Sequence, residues 1–248
     1  LFCIADMPRY AGLASATAAT DAAIAGFGSS VLPKTHFGAV YFPWIEINDP
    51  AGTGRDPVLV VPPSGFVAGL YARTDARRGV WKAPAGLDAT VLGVRRLEYK
   101  LLDGHQDELN PLGVNALRVH ATGGAVVWGS RTMRPDSEWR YIPVRRTAIF
   151  LRKSIFNGIQ WAVFEPNGED LWASLRLNIG AFMMNLFRAG AFQGSTPSQA
   201  FFVKCDSQTN PQSEINAGVV TVLIGFAPLR PAEFVVIKIS QKTGDSAS

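Results

Sequence analysis

Cysteine and histidine are scarce: the 248 residues contain two of the first and three of the second. Cys3 and Cys205 stand far apart, each inside an apolar, strand-like run, and are expected as two buried free thiols. Two cysteines this far apart suggest neither a secreted disulfide scaffold nor a zinc site. His36, His105 and His120 sit at no spacing that would bring two metal ligands to one helix face. Long apolar runs are lacking too. The nearest candidate, residues 179–187, contains Asn185 and is flanked by Arg176 and Arg188, so nothing approaches the roughly 20 residues of a bilayer span. The net charge of +4 is mild. It suits an acidic partner surface but not the concentrated basic footprint of nucleic-acid binding. Neither direct nucleic-acid contact nor membrane insertion is expected.

Motifs that carry chemistry are also missing. The polar cluster of residues 103–108 lacks the alternating oxygen ligands of a calcium loop and reads as a solvated turn or helix start. Ser64, in Pro62-Pro63-Ser64-Gly65, lacks the glycine two residues before it that a nucleophile elbow requires, and reads as a helix N-cap. Gly52-Thr53-Gly54-Arg55 lacks the Lys-Ser/Thr of a phosphate loop. A dinucleotide enzyme would carry a glycine-rich turn after its first strand, where Asp6-Met7-Pro8-Arg9-Tyr10 stands instead. The chain is therefore expected to be no enzyme and to need no cofactor. Arg145, Arg146, Arg152 and Lys153 fall about two helical turns apart and could mark a basic face.

What is present is a core-forming composition, 47% hydrophobic and 18% charged, long enough for one large domain or two closely packed ones. Residues 1–5 read as a strand. An alanine-rich helix follows over 13–27 and ends near Gly26 and Gly28, and a second strand occupies 39–42. This order predicts a βαβ unit and a locally parallel sheet. A strand at 58–61 precedes a helix from Ser64 to about residue 76 that opens on two prolines. Residues 109–115 read as a loop; runs at 116–120 and 125–131 around Thr122-Gly123-Gly124 read as a hairpin. Two long helices, 144–161 and 170–187, flank the Pro166-Asn167-Gly168 turn. Three β-prone runs, 200–205, 219–226 and 233–239, close the chain. The fold class is mixed α/β (α+β): a mixed sheet with a βαβ core, two long helices and a C-terminal strand. The expected division is 1–115 and 116–248.

Two features point outward. In the second long helix Ser174, Asn178, Ala181, Asn185 and Arg188 recur at steps of 3 and 4, a polar or small stripe with Arg176 beside it. Leu175, Ile179, Phe182 and Leu186 form the apolar face behind it. The last run, Glu233, Phe234, Val235, Val236, Ile237, Lys238 and Ile239, is followed by a polar tail. A strand so placed is free to pair with another molecule's sheet edge.

A family resemblance enters at residues 62–86. The stretch from Pro62-Pro63-Ser64-Gly65 through Tyr71-Ala72-Arg73-Thr74-Asp75 to Gly79-Val80-Trp81-Lys82-Ala83-Pro84 resembles the PPSGxVAGxYARTDxxRGVWKAPAN signature of contractile phage tail sheath proteins. Tyr41-Phe42-Pro43-Trp44, Trp128-Gly129-Ser130-Arg131-Thr132, Glu138-Trp139-Arg140-Tyr141, Gln160-Trp161-Ala162-Val163-Phe164-Glu165-Pro166-Asn167 and Pro231-Ala232-Glu233-Phe234 resemble further blocks of the same family, in order. Gly86, Ser130 and Met133 depart from the usual Asn, Ala and Leu.

The resemblance implies a structural subunit that stacks as hexameric rings around an inner tube and contracts to drive that tube through a target envelope. Such sheaths belong to phage tails, R-type bacteriocins and extracellular contractile injection systems, assembled in the bacterial cytoplasm. The implied partners are other sheath subunits, the inner tube protein, and baseplate and terminator or cap proteins. Neighbouring subunits of the family exchange terminal strands, so residues 233–239 are expected to pair in trans. Ser174, Arg176, Asn178, Asn185 and Arg188 are the candidate tube face. Family members carry an arm before the position of Leu1, and this chain is expected to lack it. The alternatives are a monomeric surface or decoration module and a βαβ-core enzyme.

Overall fold

The structure is a computed structural model that describes residues 1–28, 34–120, 124–135 and 138–234. Strand β1 (Cys3–Asp6), helix α1 (Ala16–Gly28) and strand β2 (Gly38–Phe42) form the expected βαβ unit, with β1 and β2 parallel in the register Cys3↔Gly38 to Asp6↔Tyr41. All five residues of β2 are buried. Its side chains alternate between two cores, as the period of a strand requires. Ala39 and Tyr41 join Val67, Leu70 and Tyr71 on one side; Val40 and Phe42 join Ala19, Ala23 and Phe27 of α1 on the other.

The chain then leaves this sheet for a second, smaller one. Strand β3 (Ile45–Asn48) lies between β4 (Val58–Val61) and β5 (Arg96–Leu97), antiparallel to both. Helix α2 (Ser64–Arg78) follows β4 and covers the first core. Ser64 is not its N-cap. Pro63 already has helical backbone angles, so the helix starts one residue earlier, and the Ser64 N–H donates to Asp6 Oδ1 at 2.7 Å. The cap thus comes from the end of β1, and its carboxylate also suits the positive end of the helix dipole.

Helix α3 (Asp103–Leu112) runs to the edge of β6 (Val114–His120), so residues 109–112 are helix rather than the expected loop. Leu109 is fully buried in the second core, and that packing outweighs the Pro111 inside the last turn. Gly113, at φ 85°, makes the reversal; a Cβ there would lie 2.4 Å from the Thr132 carbonyl oxygen. β6 pairs parallel with β2 and antiparallel with β7 (Gly124–Val127), giving the mixed order β1-β2-β6-β7. Thr122 and Gly123 of the expected hairpin turn lie outside the described residues. β6 spans residues 115 and 116, between which the sequence reading divides the chain.

Helix α4 (Ile142–Gly158) joins this body to a C-terminal lobe. Ile142 sits in the first core and Leu151 in a third, which it shares with Ile179, Met183 and Phe192. A 3-10 turn (Gln160–Ala162) leads to α5 (Glu169–Arg188), followed by the antiparallel pair β8 (Phe201–Lys204) and β9 (Leu223–Phe226). Leu171, Trp172, Leu175 and Cys205 form a fourth core. Of the two thiols, Cys205 is buried as expected, but Cys3, at the start of the edge strand β1, is exposed. Burial pushes the Cys205 thiol above its usual pKa.

Candidate functional site

The C-terminal lobe holds the surfaces of interest, beginning where the chain leaves it. After β9 the Ala227 N–H donates to the Ala200 carbonyl at 2.8 Å, and the Gln193 N–H donates to the Ala227 carbonyl at 2.9 Å. The chain then runs without regular structure along an open cleft of about 900 Å³ to reach the main body at Glu233. Arg131 Nε donates to the two Glu233 carboxylate oxygens at 2.9 and 3.2 Å, and Nη2 to one of them at 2.6 Å. Nη1 donates to the Asn110 carbonyl at 2.9 Å, and the Tyr141 hydroxyl donates to Glu233 at 3.3 Å.

The Arg131 backbone is itself gripped. Asn115 Oδ1 accepts the Arg131 N–H at 2.8 Å, and Asn115 Nδ2 donates to the Arg131 carbonyl at 2.8 Å and to that of Val40 at 3.1 Å. Gly129 lets this approach happen, since a Cβ there would meet Asn115 Oδ1 at 2.8 Å. The two charged side chains are only 11% and 13% exposed. A pair this buried adds little net stability, but losing one partner strands the other charge away from water. The pair therefore fixes the point from which the C-terminal segment departs.

Of the expected exchange strand, Glu233 makes this in-chain contact and Phe234 is 72% exposed. Val235, Val236, Ile237, Lys238 and Ile239 lie outside the described residues. In the sheet nearby, β8 and β9 pair only with each other, and neither has a second strand beside it among the described residues. Phe202 and Leu223, one on each strand, are about half exposed.

On α5, Ser174, Asn178, Ala181, Asn185 and Arg188 are all exposed, and Leu175, Ile179 and Met183 are buried behind them. Arg176 belongs to a different environment. Its guanidinium donates to Glu169 at 2.6 Å and to the Cys205 carbonyl, tying α5 to the residue after β8. The four basic residues of α4 do not make one face. Arg145 stacks on the rings of Phe37 and Trp139, with its guanidinium carbon 3.7 and 4.6 Å from their centroids. Arg146 pairs with Asp75 at 2.6 and 2.9 Å and lies over Tyr71. Arg152 and Lys153 are exposed.

Among the described residues no group of three or more His, Cys, Asp or Glu could hold a metal ion, and no helix is long and apolar enough to cross a membrane. The Asp6–Arg9 segment, where a cofactor turn would stand, is used structurally: Asp6 binds the start of α2 and Arg9 pairs with Glu98 at 2.8 Å. Sequence reasoning did not find Arg131. Its only local sign is its place in the Trp128–Thr132 block, 102 residues from its partner.

Comparison with known proteins covers nearly the whole chain. The phage tail sheath protein central domain matches residues 2–133, and the phage tail sheath C-terminal domain matches residues 134–242. The tail sheath protein of Vibrio phage KVP40 is 30% identical over 188 residues, 75% of this chain and 27% of its own length. The PVC sheath complex of an extracellular contractile injection system, in its contracted state, superposes with a TM-score of 0.84 at 32% identity, over 98% of this chain and 64% of that one. A chain of the anti-feeding prophage baseplate gives a TM-score of 0.81 at 35% identity, over 98% and 60%. The chain thus spans between about a quarter and two thirds of these relatives. All of them are structural proteins of contractile particles rather than enzymes.

Proposed function

The chain belongs to the phage tail sheath protein family, and from that premise we propose that it polymerises as stacked hexameric rings around an inner tube. Contraction of the sleeve then drives the tube through a target envelope. Its partners are further copies of itself, the inner tube protein, and the baseplate and terminator proteins that close the two ends. Assembly takes place in the bacterial cytoplasm, as part of a phage tail or a tail-like particle.

The observation that carries this reading is the two-stranded β8–β9 sheet, with no further strand along its edges among the described residues, beside an exit segment anchored at Glu233. A two-stranded sheet is marginal by itself, and a strand from another subunit completes it through main-chain hydrogen bonds that tolerate many sequences. Residues 233–239 supply that strand in trans. Residues 1–115 act as the rigid platform, and residues 116–248 carry the exchange. Because the link is made by main-chain hydrogen bonds to a strand, it can persist while subunits rotate as rigid bodies between extended and contracted packings.

The tube face is the exposed stripe of Ser174, Asn178, Asn185 and Arg188. Arg176 contributes by holding α5 in place, through Glu169 and Cys205, rather than by reaching the tube. Weak, salt-screened contacts of this kind release when the sleeve widens.

Deletion of residues 235–248, which leaves the Arg131–Glu233 pair in place, tests the exchange. The truncated protein should remain a folded monomer by light scattering and form no sleeves under the electron microscope. Normal sleeves from that protein would sink the proposal.

A further inference from the structure

Phe164 stands out from the rest of the surface. It is completely exposed, and its φ of 72° puts it in the left-handed region that bulky residues seldom adopt. The backbone on both sides is pinned. The Val163 N–H donates to the Gln160 carbonyl, and the Glu165 N–H to that of Ala162, both at 3.3 Å. Asn167 Oδ1 accepts the Trp172 indole N–H at 2.9 Å, and Asn167 Nδ2 donates to the Val219 carbonyl at 3.0 Å. A strained, rigid turn thus holds an aromatic ring in water. Phe156, Trp161 and Val163, all within nine residues, are about half exposed. An outward apolar projection of this kind marks a contact site more often than a solvent surface.

The same chain carries a matching depression. An open groove of about 610 Å³ is walled by Phe2, Val80, Trp81, Ile149, Phe150 and Leu186. No residue from 156 to 165 lines it. Its volume accommodates an aromatic side chain together with its neighbours. Charge matches as well as shape. Glu165, next to the projecting ring, is exposed and has no ion-pair partner among the described residues; Lys153, on the groove wall, is exposed and has no carboxylate partner among them. Along α4, the groove-lining residues 146–154 come first and the projecting turn follows the helix's C-terminal end.

We propose that Phe164 of one subunit seats in the Phe2–Val80–Ile149–Phe150 groove of a second copy, with Glu165 meeting Lys153 at its rim. The contact is heterologous: projection and groove are different patches, so each copy offers one of each and the pairing passes from copy to copy, around a ring where the rotation closes and along a filament where it does not. This inference rests on the polymerising function proposed above and names a second contact, separate from strand exchange. It draws on rigid side chains instead of main-chain hydrogen bonds, so it can differ between two packings of the same subunits while the exchanged strand stays put.

The test is polymerisation of the full chain, with its threshold concentration read by sedimentation and sleeves seen by electron microscopy. Phe164→Ser should raise the threshold about tenfold or more while leaving the thermal midpoint unchanged, because the ring packs on nothing within its own subunit. Glu165→Lys and Lys153→Glu should each raise it, and the double variant should recover most of the loss. A wild-type chain that never polymerises would remove the underlying function. Wild-type sleeves together with an unaffected Phe164→Ser variant would overturn this contact alone. Normal polymerisation with loss of inner-tube uptake would assign the projection to the tube, against the proposal. A double charge variant no better than its parents would also contradict it.

Discussion

The β1-β2-β6-β7 sheet and the β8–β9 pair are built from similar residues and stand in opposite situations. β2 has both neighbours in place and helices on both faces, and every one of its five residues is buried. No residue of β8 or β9 is fully buried, and each strand has a single neighbour among the described residues. The first sheet holds itself together. The second is supported on one side by α5 and has no further strand along its edges among the described residues, as a sheet awaiting strands from elsewhere would. If the second sheet takes part in assembly as proposed, stability and assembly are separated within one chain, and substitutions should sort accordingly.

The largest effect expected is in the closed sheet. Leu117→Ala, at a fully buried position, should lower unfolding free energy by about 4 kcal/mol, whereas Phe202→Ala on β8 should change it by less than about 0.5 kcal/mol and instead weaken polymerisation. Denaturant titration of the two variants checks the first half and sedimentation the second. Equal losses of stability would erase the contrast.

Next comes the joint between the regions. Arg131→Ala strands the Glu233 carboxylate in a largely buried site and should cost about 3 kcal/mol. It should also expose residues 229–234 to proteolysis, with cleavage there faster than in the wild type. An unchanged cleavage pattern would mean that the segment is held by other contacts.

This joint shows where sequence reading ends. The βαβ unit, the buried face of α5 and the alternation of β2 follow from periodicity and local propensity, which act over a few residues. The family resemblance covered nearly the whole chain because several separate blocks agreed. The Asp6–Ser64 cap, the Arg131–Glu233 pair and the burial of Leu109 depend on residues 58, 102 or more positions apart, or on a packing surface made elsewhere. Residues 109–112 illustrate this: proline and glycine signalled a loop, while a core contact kept the helix to its glycine cap. The left-handed backbone at Phe164 was hidden for a related reason, since a phenylalanine gives no local sign that its neighbours will force that conformation.

A smaller, pH-dependent effect belongs to the closed region. The Tyr41 and Tyr71 hydroxyls are hydrogen-bonded at 2.6 Å, and burial raises both phenols well above their ordinary value. Below pH of about 10 the folded and unfolded chains both keep these protons. Above it the unfolded chain gives them up first, so stability falls as pH rises, by about 1.4 kcal/mol per pH unit for each phenol. Thermal melts between neutral and alkaline pH measure this, and Tyr41→Phe should make the decline shallower.

The smallest change in stability should come from the outer face of α5. Arg188→Glu, at an exposed position, should shift unfolding by less than about 0.5 kcal/mol yet reduce co-assembly with the inner tube, most visibly at low salt. Arg176→Glu should destabilise the lobe as well, because Arg176 is bonded to Glu169 and Cys205.

The most direct test of the whole account is the subunit arrangement in an assembled particle, determined by electron cryo-microscopy. With strand exchange as proposed, the β8–β9 sheet gains at least one strand from a neighbouring copy, supplied by residues 233–239, with Glu233 of the donor still held by its own Arg131. Sleeves in which both outer edges of β8–β9 face solvent, or in which residues 233–239 fold back on their own subunit, would contradict it.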